Sequence, residues 1–206
     1  MANDANIRMG FFPVTAPQCP PPTLPFRVET SATLQYFRGQ LVQINSNGRV
    51  QPVAAGATQS IGALGVAWNF LDLNLAGPPS GMNLLTQGAF LPANTDAFVE
   101  VTYDPLQLYV IEEVTGGTAI NTNSIGLGVD FTYAATTGNT NTGFCNAMIA
   151  NNVVTAGTLS LLQLVNVHNI LNADATVNAP GASCKWIVRI QRHTFGNAIL
   201  PLPQTL

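Results

Sequence analysis

Charge is what this sequence has least of. Asp, Glu, Lys and Arg make up 8% of its 206 residues, against about a quarter in an ordinary soluble domain. Lys185 is the only lysine. Coiled coils, surface-charged helical bundles and charged disordered tails are built from the residues missing here. The seven basic residues, Arg8, Arg27, Arg38, Arg49, Lys185, Arg189 and Arg192, are scattered apart from the short run 185–192, and the net charge is −3. Neutralising a phosphate backbone takes a dense Lys/Arg array, so direct nucleic-acid binding is not expected. No apolar run approaches the roughly 18 residues of a membrane span, so no membrane partner is expected. Met1-Ala2-Asn3-Asp4 has neither the basic nor the apolar part of a secretory leader, which predicts a soluble chain made in the cytoplasm. Asn is abundant, yet no Asn-x-Ser/Thr sequon occurs.

Cysteine is also sparse. Cys19, Cys145 and Cys184 are widely spaced, with no Cys-x-x-Cys, so neither a zinc ribbon nor a thioredoxin-like site is indicated. Three reduced thiols are expected, two of them packed in β-structure. Cys19, in a Pro-rich stretch, could instead form an intermolecular disulfide.

In place of charge stand 20 Asn, 21 Thr, 18 Gly and 14 Pro, with 47% apolar residues. Asn, Gly and Pro are poor helix formers and Thr prefers strands. This composition predicts an all-β fold of small barrel or sandwich domains, with an extended Pro-rich N-terminal arm.

Three stretches follow. Residues 1–30 carry Phe11-Phe12-Pro13, Pro17-Gln18-Cys19-Pro20-Pro21-Pro22 and Leu24-Pro25-Phe26. Proline removes backbone donors and favours extended geometry, so this stretch reads as an arm. It either folds back on its own domain or reaches a neighbouring subunit. In the second case Phe11, Phe12, Cys19, Leu24 and Phe26 are the candidate inter-subunit contacts.

Residues 31–117 read as a barrel-like domain. Strands are expected at 39–45, 49–53, 60–67, 83–90, 97–103 and 106–114, with Asn47-Gly48 as the hairpin pair between the first two. Residues 118–206 read as a second β-domain or sandwich half with an apolar, proline-broken tail at 199–203. Its expected strands are 124–133, 157–167 and 184–190, and 134–142 and 172–182 are expected as loops.

Between Gly39 and Ala67 the order is Gly39, Leu41-Val42, an Asn47-Gly48 turn, Val50, Ala55-Gly56, then Ile61-Gly62 and Gly65-Val66-Ala67. This resembles the head decoration (cement) proteins of tailed bacteriophages. The blocks 161–168, 172–181 and 186–193 are similar to the second half of podophage-type head proteins. Together the resemblances span roughly two-thirds of the chain, read as strand order. They imply a virion protein on the outer capsid surface that clamps adjacent major capsid subunits and self-associates, most simply as a trimer. A near-neutral surface suits close packing of many copies. Two rival readings are another virion component, such as a tail or fibre-base subunit, and a carbohydrate-binding sandwich using Trp68 or Trp186.

No motif points to catalysis, a cofactor or a metal, and a non-enzyme is expected. His168 and His193 lie outside any His-Glu-x-x-His. Cys184 and His193 are nine positions apart around one strand, which as extended chain spans roughly 30 Å, too far for a dyad. Glu112 and Glu113 are adjacent and should face opposite sides of a strand rather than form a glycosidase pair. Asp72, Asp96 and Asp104 fall in turn-like contexts without a calcium-loop pattern. The Gly pairs 62/65 and 126/128 do not complete a dinucleotide fingerprint.

Overall fold

The structure, a computed structural model, describes residues 9–15, 20–31, 33–55, 62–75, 77–79, 90–116, 118–154, 160–171 and 175–195. Eleven strands occur in these residues: β1 (Phe12–Pro13), β2 (Thr23–Arg27), β3 (Leu41–Ile44), β4 (Val50–Pro52), β5 (Gly65–Leu71), β6 (Phe98–Thr102), β7 (Leu108–Glu112), β8 (Gly128–Gly138), β9 (Cys145–Val154), β10 (Leu162–Val167) and β11 (Lys185–Ile190). A single 3₁₀ turn covers Thr122–Ser124. The fold is all-β, as its composition implies. The strands form two antiparallel sheets, in the orders β2-β6-β5-β3-β4 and β1-β7-β11-β10-β8-β9.

The five-stranded sheet begins with the β3–β4 hairpin. Its turn is one residue longer than an Asn47-Gly48 two-residue loop. Asn45 N–H donates to Arg49 O at 2.8 Å, and the Asn45 side-chain oxygen accepts from Asn47 and Arg49 N–H, both at 3.0 Å. Gly48 takes φ +74°, the left-handed position that closes a three-residue hairpin loop. β5 carries a bulge at Trp68. Beyond β2 the chain runs on to the far edge of the sheet. Val28 bridges Val50 in parallel, and Glu29 N–H donates to Val50 O at 2.8 Å. The sheet therefore curls onto itself. Val28, Val42, Val50, Leu64, Ala67, Phe70, Val99 and Val101 pack in one cluster with Tyr36. The Tyr36 hydroxyl sits at the seam, 2.8 Å from Glu29 O and 2.9 Å from Val50 O.

The six-stranded sheet also bends back. β7 continues past Glu112, so that Glu113 bridges Ile149 of β9 and Val114 N–H donates to Ile149 O at 3.0 Å. Alternate residues of β7 to β11 (among them Tyr109, Ile111, Phe131, Ile149, Leu164, Trp186 and Val188) fill the larger core. Leu41 and Val66 from β3 and β5 belong to that same core. They alternate with Val42 and Ala67, which face the interior of the curled sheet. Two backbone seams tie the sheets together. Cys145 N–H donates to Arg38 O at 2.8 Å, and Ala63 N–H donates to Arg192 O at 2.8 Å.

Several expectations change here. Strand pairing crosses the boundary expected at 117, because β7 lies between β1 and β11. The shared core unites the stretches 31–117 and 118–206 through contacts that no local pattern encodes. Loop 134–142 is shorter than expected, since β8 extends to Gly138. β9 was not expected at all. The parts of the arm that are described fold back on their own chain, β1 on β7 and β2 on β6. The strand expected at 83–90 lies outside the described residues except for Phe90, which stacks on Phe37 at 5.4 Å. The tail at 199–203 also lies outside them.

Candidate assembly surface

β1 splits the expected anchors. Alternation across a strand sends neighbouring side chains to opposite faces, and Phe11 and Phe12 obey it. Phe11 is 0% exposed, with its ring edge-on to Tyr109 at 6.3 Å and to Phe131 at 5.7 Å. Within a single copy it is a core residue rather than a surface anchor. Phe12 is 36% exposed and meets Trp68 edge-on at 5.3 Å. Leu24 is 43% exposed on β2. Phe26, two residues on, packs half-buried against the core of the curled sheet. Cys19 lies outside the described residues.

Two contacts were not foreseen. Val14 N–H donates to Leu108 O at 2.8 Å, and the Gln107 side chain donates to Val14 O at 2.9 Å. These bonds hold the half-exposed Val14 beside the β6–β7 turn, whose Leu106 is 71% exposed. An apolar rim of Phe12, Val14 and Leu106 thus follows β1. The only sequence signal was an apolar residue placed after Pro105 in a turn. On β2, Pro25 lies opposite Glu100 and withholds one donor from the sheet edge, a device against indiscriminate strand pairing. Arg27 forms a two-pronged ion pair with Asp96. The guanidinium holds the Asp96 carboxyl below its ordinary range.

A second exposed apolar group lies between β10 and β11. Asn178 is buried and acts as a pin. Its amide donates to His168 O and Lys185 O, both at 2.8 Å, while its side-chain oxygen accepts from Lys185 N–H at 3.0 Å. The excursion it holds exposes Ile170, Leu171 and Val177, and Leu171 bridges Val177. Residues 172–174 of this expected polar loop lie outside the described residues.

The chemically competent side chains are arranged as structure. Burial pushes the Cys145 and Cys184 thiols up to about 12, so neither is a thiolate nucleophile at neutral pH. Burial lowers His168 and His193 below the ordinary imidazole value. His193 Nδ1 accepts from Phe195 N–H at 3.1 Å. Glu112 lies opposite Lys185 in the ladder, whereas Glu113 points inward. Its carboxylate accepts from Ile120 N–H and from Trp186 Nε1–H, both at 2.8 Å. Burial raises its pKa above the ordinary carboxylate value, partly offset by those two donors. Asp72 and Asp104 cap their own turns, accepting from Asn74 N–H at 3.0 Å and Leu106 N–H at 2.8 Å. Trp186 is fully buried and offers no face to a sugar. Among the described residues, no three His, Cys, Asp or Glu converge as a metal site, and no helix is long and apolar enough to cross a membrane.

No protein-family model, no curated protein and no solved structure matches this chain.

Proposed function

We propose that this chain is a structural subunit of a bacteriophage particle, a decoration protein that sits on the outer capsid surface and clamps adjacent major capsid subunits. The observation that carries the reading is the apolar rim of Phe12, Val14 and Leu106 along β1, set on a charge-poor β-body. Such a rim offers apolar surface that a partner can cover. A clamp works by burying apolar surface across a subunit boundary, and the low net charge limits repulsion between closely packed copies. The resemblance over Gly39–Ala67 implies that the clamped subunits are those of the major capsid protein.

Quantitative mass spectrometry of gradient-purified particles tests this reading. Copy numbers comparable to the main shell protein are expected, and heads lacking the chain should burst at a lower temperature than decorated ones. A few copies per particle would move the assignment to a tail or fibre-base component. Equal heat stability with and without the chain would remove the clamping role.

A further inference from the structure

We infer that the β1 segment is an exchangeable plug, and that in the assembled state Phe11 of one copy seats in the six-stranded sheet of a neighbouring copy. This rests on the reading of the chain as an assembling subunit and names the partner of its rim: a second copy of the same chain.

The attachment of β1 is unusual. Its ladder to β7 has two residue pairs, Phe12 with Val110 and Pro13 with Tyr109. Past Pro13, Val14 N–H adds one bond to Leu108 O and the Gln107 side chain donates to Val14 O, while the buried anchor of the segment is the Phe11 ring, held between Tyr109 and Phe131. Phe11 N–H also donates to Gly39 O at 2.9 Å. The socket is shaped for this segment. Gly10 (φ +63°) and Gly39 (φ +76°) cross so closely that a Cβ on Gly10 would lie 2.4 Å from Gly39 O, and one on Gly39 would lie 2.0 Å from Met9 O. Every copy carries both the plug and the socket, so exchange preserves each of these contacts.

Chain connectivity favours the exchange. β1 belongs to the six-stranded sheet and β2 to the five-stranded one. The connecting residues 14–22 include Pro17, Pro20, Pro21 and Pro22. A short connector gives its own plug an effective concentration of about millimolar, which closely packed neighbours on a surface can match. Phe12, Val14 and Leu106 flank the seat and would be covered where two copies meet.

The test is cross-linking of full-length chains in a Cys19→Ser background. Phe12 and Val110 are direct ladder partners with outward side chains. One chain carries Phe12→Cys and another Val110→Cys; the two are mixed at rising concentration and oxidised. A covalent heterodimer is expected, at least about tenfold more abundant than with Phe12→Cys paired to Leu73→Cys, because only ladder partners are held at high effective concentration. The double variant Phe12→Cys/Val110→Cys shows that the ladder forms. If it closes only within one chain while the mixed single variants stay monomeric, exchange is overturned. Equal yield with the Leu73→Cys control overturns it too, as does failure of the double variant to close within or between chains. Exchange by a chain that is absent from particles would sink the virion reading alone and leave the plug standing.

Discussion

The two sheets handle polarity differently, and the contrast explains how a chain this poor in charge stays specific. The five-stranded sheet curls around a cluster of aliphatic side chains and Phe70. At its seam sits the Tyr36 hydroxyl, which two backbone carbonyls accept. The six-stranded sheet instead carries a carboxylate inward. Glu113 is wholly buried, and two N–H donors rather than a cation face it. Burying a carboxylate without a cation is costly even when it is hydrogen-bonded. One interior is therefore indifferent to protons, whereas the other depends on them.

The largest effect expected is at the Glu113 contact. Trp186→Ala removes the largest fully buried side chain and one donor to Glu113, and should cost about 4–5 kcal/mol in urea unfolding. Phe70→Ala, in the five-stranded sheet, should cost about 3–4 kcal/mol as a cavity alone. If the two losses are equal, the carboxylate contact adds nothing. Tyr36→Phe comes next. It leaves Glu29 O and Val50 O without their side-chain donor at the seam, for about 1–2 kcal/mol. A neutral outcome would mean that backbone pairing closes the sheet unaided.

Dependence on pH sharpens the comparison further. Glu113 has a folded pKa above its ordinary value of 4.5, so the native state binds the proton more tightly than the unfolded chain. That contribution to stability is complete below the ordinary value and is lost as pH rises through the folded one. Urea midpoints across this window should fall with rising pH. Glu113→Gln should remove that part of the slope, whereas Tyr36→Phe should keep it. An unchanged slope in Glu113→Gln would place the proton elsewhere. The smallest effect is at the surface. Arg27 and Asp96 are both substantially exposed, and such pairs contribute little, so Arg27→Ala should leave the midpoint where it is. A clear drop would give the ion pair a part in holding β2 to its sheet.

Much of the fold was legible locally. The hairpin over β3 and β4 announced itself through Asn47-Gly48, although its loop is closed by Asn45 and Gly48. The alternation of Val129, Phe131 and Tyr133, and of Trp186, Val188 and Ile190, marked β8 and β11. β9 was hidden because Cys145, Asn146, Ala147 and Met148 lack branched or aromatic side chains in alternation. Its inward positions stay small where β9 meets the segment around Arg38. β5 starts later than expected and continues through Trp68, because a bulge lets the polar Asn69 take an outward place. At the candidate surface, the sequence marked Phe11 and Phe12 together as anchors. One-residue alternation on β1 separated them, and Val14 and Leu106 came into view only once Gln107 had tied the turn to the arm.

By itself, the sequence determined the all-β class, the extended character of the N-terminal stretch and the scarcity of charge on the surface. These properties follow from composition and from periodicity within a few residues. Tertiary structure alone decided that β7 joins the later strands, that both sheets curl back through Val28–Val50 and Glu113–Ile149, and that Glu112 and Glu113 are both buried, with Glu113 bonded to Ile120 and Trp186. Those outcomes depend on which distant strand supplies the missing hydrogen bonds and which face the shared core covers. A two-residue period leaves both unspecified until the chain has packed.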